Sequence, residues 1–288
     1  VGSEMCIRDR CLPVPFFHCF GSVLGAFAAL SHGSCIVLPS ESFDPKICME
    51  VIQKYECTAL YGVPMMFISI LSLPNLLNYN FKSLRTGAIG ASPCPKEVMK
   101  KIINILNIKE ITIVYGMTET SPISFQTNIG DDVDLQVSTV GNINPHIEAK
   151  VIDSNKNFIL DRGKPGELCI KGYSVMKEYW KNKTETKKAI DKDGWMRTGD
   201  LVLMRDDGYL EIVGRIKDTI IKGGENIYPR EVEEFLIKIE QIEQAYVFGV
   251  PDKTYGEIVG CWVKLEKNKF ISENQIKNKC KNKIASFK

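Results

Sequence analysis

The sequence predicts an α/β protein: a large region of layered α/β sheets that passes into a β-rich part, followed by a small α+β region. Three observations carry this. Residues 11 to 135 alternate short apolar runs with helical patterns, the order expected of largely parallel strands joined by helices. Residues 136 to 214 hold short apolar runs separated by Gly, Asp, Asn and Pro. After Gly214 a helix, two longer strand patterns and a final helical pattern make up a module over 215–288.

Each element follows from local pattern. Val23 to Leu30 reads as a small-residue core helix and Cys35 to Leu38 as a buried strand, with the Ser31-His32-Gly33-Ser34 turn between them. A helix is expected over Pro45–Tyr55, a strand over Ala59–Tyr61 and a helix over Pro64–Leu71. Thr86–Ile89 and Ile111–Tyr115 read as strands. Between them Pro95–Leu106 reads as a helix, with proline in its first turn and Val98, Ile102, Ile105 and Leu106 as its apolar stripe. Glu148–Ile152, Glu167–Lys171, Leu201–Met204 and Tyr209–Val213 are expected strands, with Arg205-Asp206-Asp207-Gly208 as a hairpin turn. Tyr228-Pro229-Arg230-Glu231 opens a helix whose apolar face is Val232, Phe235, Leu236 and Ile239. Ala245–Val250 and Ile258–Leu265 read as strands, and residues from 272 onward as helical. No internal repeat is visible.

Composition narrows the function classes. The chain is 44% hydrophobic and 25% charged with a net charge of +2, so neither nucleic acid nor a charged membrane surface is an expected partner. The eight lysines between Lys264 and Lys288 read as a solvated helix face. Ten cysteines are scattered with no CxxC pair, and only His18, His32 and His146 are present, so neither a disulfide framework nor a zinc site is expected. Free thiols place the chain in the cytoplasm, or in the mitochondrial matrix of a eukaryote. Residues 11 to 40 carry no charge, but Pro13, Pro15 and the 31–34 turn break them into pieces too short for a transmembrane helix. The first ten residues, VGSEMCIRDR, look like an in-frame translation of a sequencing-library adapter and are set apart from fold reasoning. On that reading Cys11 lies inside a longer protein.

Three stretches point to chemistry. "YGMTETSP" (115–122) follows the apolar run Ile111–Val114, at the strand end where open sheets bind ligands. Tyr115 can stack on a base, Thr118 can bond a phosphate and Glu119 is a hard oxygen ligand suited to Mg²⁺; alternatively the stretch is a polar turn with a capping threonine. "GWMRTGD" ends in Asp200, which either accepts from both ribose hydroxyls or is a turn aspartate. "GRIKDTIIKGGENIYP" combines Gly214-Arg215, Lys217-Asp218 and Gly223-Gly224 at fixed offsets, where the glycines permit close backbone approach.

Together with "GELCIKGYSVMKEYW", these stretches stand in an order that resembles the adenylate-forming (AMP-binding) superfamily of acyl-CoA synthetases, luciferases and peptide-synthetase adenylation domains. "PFFHCFGSVLG", "LYGVPMMF", "GNINPHIEAK" and "CKNKIASFK" are most similar to medium-chain fatty acyl-CoA synthetases of the family-member-2 type. The resemblance implies that residues 11–214 are the later part of a large AMP-binding domain and 215–288 an incomplete small domain. It implies ATP, Mg²⁺ and CoA as reaction partners of a small carboxylic acid. Tyr115 and Gly116 would line the adenine site beside Gly90-Ala91-Ser92. Thr118 would hold phosphate and Glu119 Mg²⁺, and both would be catalytic. Asp200 and Arg215 would hold the ribose hydroxyls, Lys217 would be the hinge, and Gly223 and Gly224 would line the pantetheine tunnel. His18 would border the acyl site, with Tyr61 and Gly62 as its wall or as plain core. The family's Gly/Ser/Thr-rich phosphate loop would precede residue 11 and its adenylation lysine would follow Lys288, so no residue here takes either role. Two other readings stand beside this one. An amino-acid- or aryl-activating enzyme is one, although "FFHCFGS" offers no acid to pair an amine. The other is a non-catalytic adenylate-binding module.

Overall fold

The computed structural model describes residues 9–154, 156–281 and 283–285. The chain forms two compact units. The first is Val1–Lys150 with Cys169–Arg197 and Met204–Glu211, and the second is Val151–Leu168 with Thr198–Leu203 and Ile212–Lys288. The adapter reading of residues 1–10 lies mostly outside the described residues. Asp9 and Arg10 are within them: the Asp9 carbonyl accepts from the amides of Thr58 and Ala59, and Arg10 opens a strand.

The first unit is built on a seven-stranded sheet in the order Ile36–Val37, Arg10–Cys11, Ala59–Gly62, Thr86–Ile89, Glu110–Tyr115, Phe125–Gln126, Asn142–Ile143. The first five strands run parallel and the last two antiparallel. Alternation along Glu110–Tyr115 sorts its side chains by face. Ile111 and Ile113 join the core of Met49, Ile52, Leu60, Phe67, Met99 and Ile102, while Val114 packs with Val14, Phe20 and Ala88. Three thiols sit in the larger core: Cys11, Cys48 and Cys57 are all fully buried, with 3.6 Å between the sulfurs of Cys11 and Cys48. Bonding to Cys48 and Cys57, and then burial, push the Cys11 thiol far above its ordinary value.

The helices Pro45–Tyr55 and Pro64–Leu71 fall where proline at the first turn places them, and the Asp44 carboxylate accepts from the Ile47 amide to cap the first. Three expectations change. The helix expected from Val23 begins at Phe20 as a π-helix to Phe27 and continues as Ala28–Ser31, with Phe27 and Leu30 exposed. Gly21 and Gly25 let it lie against Pro15 and Leu12, where a Cβ would collide. The strand at 35–38 is an edge strand of two half-buried residues, because only one neighbour covers it. Pro95 stands just outside its helix, Lys96–Asn104, and Met99 is the fully buried residue that the expected stripe lacked.

A four-stranded sheet in the order Leu210–Arg215, Met196–Met204, Pro165–Gly172, Ile147–Ile152 forms the β-rich part. Its hairpin closes at Arg205–Gly208, the Gly208 amide donating to the Arg205 carbonyl at 3.0 Å. In the second unit, Glu225–Ile227, Ile220–Lys222, Gly256–Leu265 and Ile242–Asp252 make a further sheet in that order. Val232 and Leu236 of the helix Pro229–Leu236 join Ile220, Ile227, Ala245 and Val247 in its core. The final helix is Glu273–Cys280. No helix among the described residues is long and apolar enough to cross a membrane.

Candidate nucleotide and acyl site

In the first unit, the strand Glu110–Tyr115 delivers its last residue to a corner built by backbone hydrogen bonds. Thr118–Thr120 form a single 3-10 turn, with Gly116 and Met117 between it and the strand. The two threonines of this turn differ in burial. Thr120 is fully buried; its hydroxyl donates to the Met117 carbonyl and accepts from the Met117 amide, both at 3.2 Å, so it closes the turn. Thr118 is exposed, its hydroxyl 3.7 Å from the Cys19 sulfur.

Tyr115 is half-buried and packs edge-to-face on Phe125, with ring centroids 6.2 Å apart. Gly116 has a packing reason of its own, since a Cβ there would overlap the Pro122 carbonyl. Gly90 is buried after the strand Thr86–Ile89, a Cβ there falling 2.9 Å from the Val114 side chain. Ala91, at φ 74°, and Ser92 are exposed.

Glu119 is half-buried. Its carboxylate Oε1 accepts from the Tyr179 hydroxyl at 2.9 Å, the sole hydrogen bond to that carboxylate among the described residues. Its backbone carbonyl accepts from the Met176 amide at 2.8 Å. Burial, and then the Glu119 carboxylate, push the Tyr179 phenol above its ordinary value, so it is a neutral donor at physiological pH. Glu119 forms no ion pair among the described residues, and no three His, Cys, Asp or Glu residues gather there as a metal cage. A hard cation such as Mg²⁺, which takes one or two carboxylates and completes its shell with phosphate oxygens and water, fits this donor set.

His18 is exposed and its Nδ1 accepts from the Phe20 amide at 3.0 Å, which puts the proton of the neutral ring on Nε2. Cys19 joins the histidine to the corner: its sulfur lies 3.8 Å from His18 Nδ1 and 3.7 Å from the Thr118 hydroxyl. Tyr61 stacks on Phe20 at 6.3 Å, with the Arg10 guanidinium 5.5 Å from its ring centroid. Gly62 is buried against Phe67. The sequence reading missed Cys19 and Tyr179. Cys19 stands beside His18 in the chain, but nothing local marks a contact to residue 118, and nothing in "KEYW" marks one to residue 119.

In the second unit, Asp200 lies on the strand Met196–Met204 with 8% of its surface exposed. Its amide donates to the Thr198 hydroxyl at 3.1 Å, and its Oδ1 pairs with Arg215 Nε at 3.2 Å. The aspartate is thus held while the Arg215 side chain remains 60% exposed. Lys217 is exposed in the 3-10 turn Ile216–Asp218. Gly223 and Gly224, at φ 60° and 89°, are the two-residue turn between Ile220–Lys222 and Glu225–Ile227, a conformation that requires positive φ at both positions. The Gly223 amide donates to the Tyr255 carbonyl at 2.8 Å, and nothing lies within 4 Å of a Cβ built on Gly224.

Comparison with known proteins shows the family of the chain. The family model described as AMP-binding enzyme matches residues 4–180, and the one described as AMP-binding enzyme C-terminal domain matches residues 231–288. The chain is 44% identical over 278 residues to the mitochondrial medium-chain acyl-CoA ligase ACSF2 of Danio rerio, covering 96% of this chain and 46% of that protein. It is 48% identical over 259 residues to the acyl-CoA ligase sidI of Aspergillus fumigatus, covering 88% of this chain and 44% of the relative. Among solved structures, ATP-bound MatB from Rhodopseudomonas palustris superposes with a TM-score of 0.87 at 28% identity, over 97% of this chain and 54% of MatB. The chain spans about half the length of the curated relatives it matches.

Proposed function

The chain belongs to the AMP-binding enzyme family, and from that premise we propose that it is part of an ATP-dependent acid–thiol ligase that makes acyl-CoA, with a medium-chain fatty acid as its acid. One observation carries the reading. At the strand end an exposed threonine stands beside a glutamate whose carboxylate is oriented by a neutral donor and, among the described residues, paired with no cation.

In the first step an oxygen of the acid attacks the α-phosphorus of ATP and pyrophosphate leaves. In the second, the thiolate of CoA attacks the acyl carbon and AMP leaves. Negative charge grows on phosphate oxygens in the first step, so hydrogen-bond donors and cations must stand there beforehand. The Thr118 hydroxyl donates to phosphate, and Tyr115 offers its ring to adenine beside Gly90, Ala91, Ser92 and Gly116. A Mg²⁺ ion held by Glu119 would offset charge on the phosphates. Asp200 and Arg215 hold the ribose hydroxyls, and their ion pair keeps the two side chains together. His18 borders the acid, with Tyr61 and Gly62 as wall. Lys217 is the hinge, and the Gly223-Gly224 turn takes the pantetheine arm. The domain assignment follows: 11–214 from the large domain, 215–288 from the small one.

A neutral acyl tail is supported by the lack of any acid in "FFHCFGS", and the name of the Danio rerio relative, a medium-chain acyl-CoA ligase, points the same way. The nine described cysteines are all free thiols, which supports a reducing compartment, cytoplasm or matrix. These 288 residues contain no "SGTTGxPKG"-like stretch, so by themselves they are expected to form no acyl-CoA. Pyrophosphate exchange tests both levels. The full-length protein should exchange with medium-chain acids and ATP, and the 288 residues alone should not. Exchange by the latter would overturn the second statement, and preference for amino acids over fatty acids would overturn the first.

A further inference from the structure

The segment after the strand Pro165–Gly172 holds Glu119 at two points: Met176 N–H donates to its backbone carbonyl, and the Tyr179 hydroxyl donates to its side chain. The tyrosine is itself fixed. Its amide donates to the Thr186 hydroxyl at 2.9 Å, and that hydroxyl donates to the Asn182 carbonyl at 2.8 Å. The Asn182 side chain in turn caps the helix Lys183–Ala189 by accepting from the Glu185 amide at 3.2 Å. A short helix therefore sets where the phenol stands, and the phenol sets where one carboxylate oxygen stands.

The identity of the partner matters. Lysine or arginine at this point would orient the carboxylate equally well but would cancel its charge and compete with a metal ion. A phenol orients without neutralising. It also occupies one oxygen only, so the second stays available to a cation.

We propose that Tyr179 is a positioning residue for the metal-binding carboxylate: its hydroxyl pins Glu119 Oε1 and leaves Oε2 for the divalent cation that accompanies ATP. This rests on the reading of Glu119 given under the proposed function. Partners of this kind, one bond removed from the ion, are worth about 10- to 100-fold in metal affinity.

The test uses the full-length protein carrying Tyr179→Phe, Glu119→Gln or, as a control on the same segment, Tyr173→Phe, whose ring is exposed. Binding of Mn²⁺ in the presence of α,β-methylene-ATP is followed by electron paramagnetic resonance, and acid-dependent pyrophosphate exchange is measured across Mg²⁺ concentrations. Urea midpoints verify that each variant is folded. Tyr179→Phe should raise the Mn²⁺ Kd about 10-fold or more and shift the Mg²⁺ requirement upward by a similar factor. Saturating Mg²⁺ should return the rate towards that of the parent, and Tyr173→Phe should bind Mn²⁺ as the parent does. A folded Tyr179→Phe with parental Mn²⁺ affinity overturns the inference, as does a rate loss equal at every Mg²⁺ concentration. If Glu119→Gln responds and Tyr179→Phe does not, the positioning role alone falls. If neither responds, the reading of Glu119 falls and takes the inference with it.

Discussion

Single residues decide how the corner after Tyr115 works, and the sequence made part of that readable. Strand end, aromatic, hydroxyl and carboxylate were visible in "YGMTETSP". Which threonine faces solvent was not, because Thr118 and Thr120 differ only in the turn geometry that buries the second. Tyr179 and Cys19 were invisible for a different reason: their partners lie 60 and 99 residues away, and no local pattern encodes a contact across that span. Three predictions belong here. Asp200→Ala in the full-length protein should weaken ATP binding by about 2–4 kcal/mol through loss of two charge-assisted hydrogen bonds, read as the Kd for ATP by calorimetry; an unchanged Kd would remove the ribose assignment. Gly116→Ala should cost about 1–3 kcal/mol of stability in a urea melt, because the new methyl meets the Pro122 carbonyl even with no ligand present. Cys94 is buried, and burial pushes its thiol from 9.0 up to about 12. The unfolded thiol ionises first as pH rises, so this contribution to stability is full below pH 9.0 and is lost as pH climbs toward about 12. Cys94→Ala should flatten the alkaline arm of the stability curve; an unchanged arm would show that the shift does not exist.

Elements were legible where a capping or breaking residue marked the boundary. Pro45, Pro64 and Pro229 each open a helix at the first position, and those three helices start where the sequence places them. The alternating runs of the parallel sheet were equally clear, since burial on both faces demands apolar β-formers. Boundaries slipped where no such residue stands. The π-helix Phe20–Phe27 starts with no side-chain cap, and its glycines serve close packing against Pro15 and Leu12 rather than a turn. The short strands Ile220–Lys222 and Glu225–Ile227 have no counterpart among the expected elements, because the double glycine between them reads as a break rather than as part of a hairpin. It is instead the two-residue loop that their pairing requires. At this scale Asp44→Ala should remove the cap of Pro45–Tyr55 and cost about 1 kcal/mol, measured by chemical denaturation. A loss near zero would mean that solvent satisfies the Ile47 amide as well as the carboxylate does.

For the molecule as a whole, the alternation of strand and helix patterns set the α/β class. The sequence changes texture near 136 and again after 214, and the two compact units divide within the strands Pro165–Gly172 and Met196–Met204. Texture follows local residue preference; compactness follows which segments pack together, and the two need not change at one residue. The ion pairs described are largely exposed, as with Lys188–Glu185 and Lys264–Glu243, on a chain of net charge +2. Raising NaCl from about 0.1 M to about 0.5 M should therefore move the unfolding free energy by less than about 1 kcal/mol, and a larger shift in a denaturant series would show that long-range charge matters more than these pairs suggest. The fully buried thiols of Cys11, Cys48 and Cys57 have a use of their own. No alkylating reagent reaches a sulfur in the middle of a packed core, so each modification of Cys48 records one event in which that core came apart. The first unit thus carries an internal counter of its own opening, and a labelling time course with iodoacetamide would report how often the central sheet lets go.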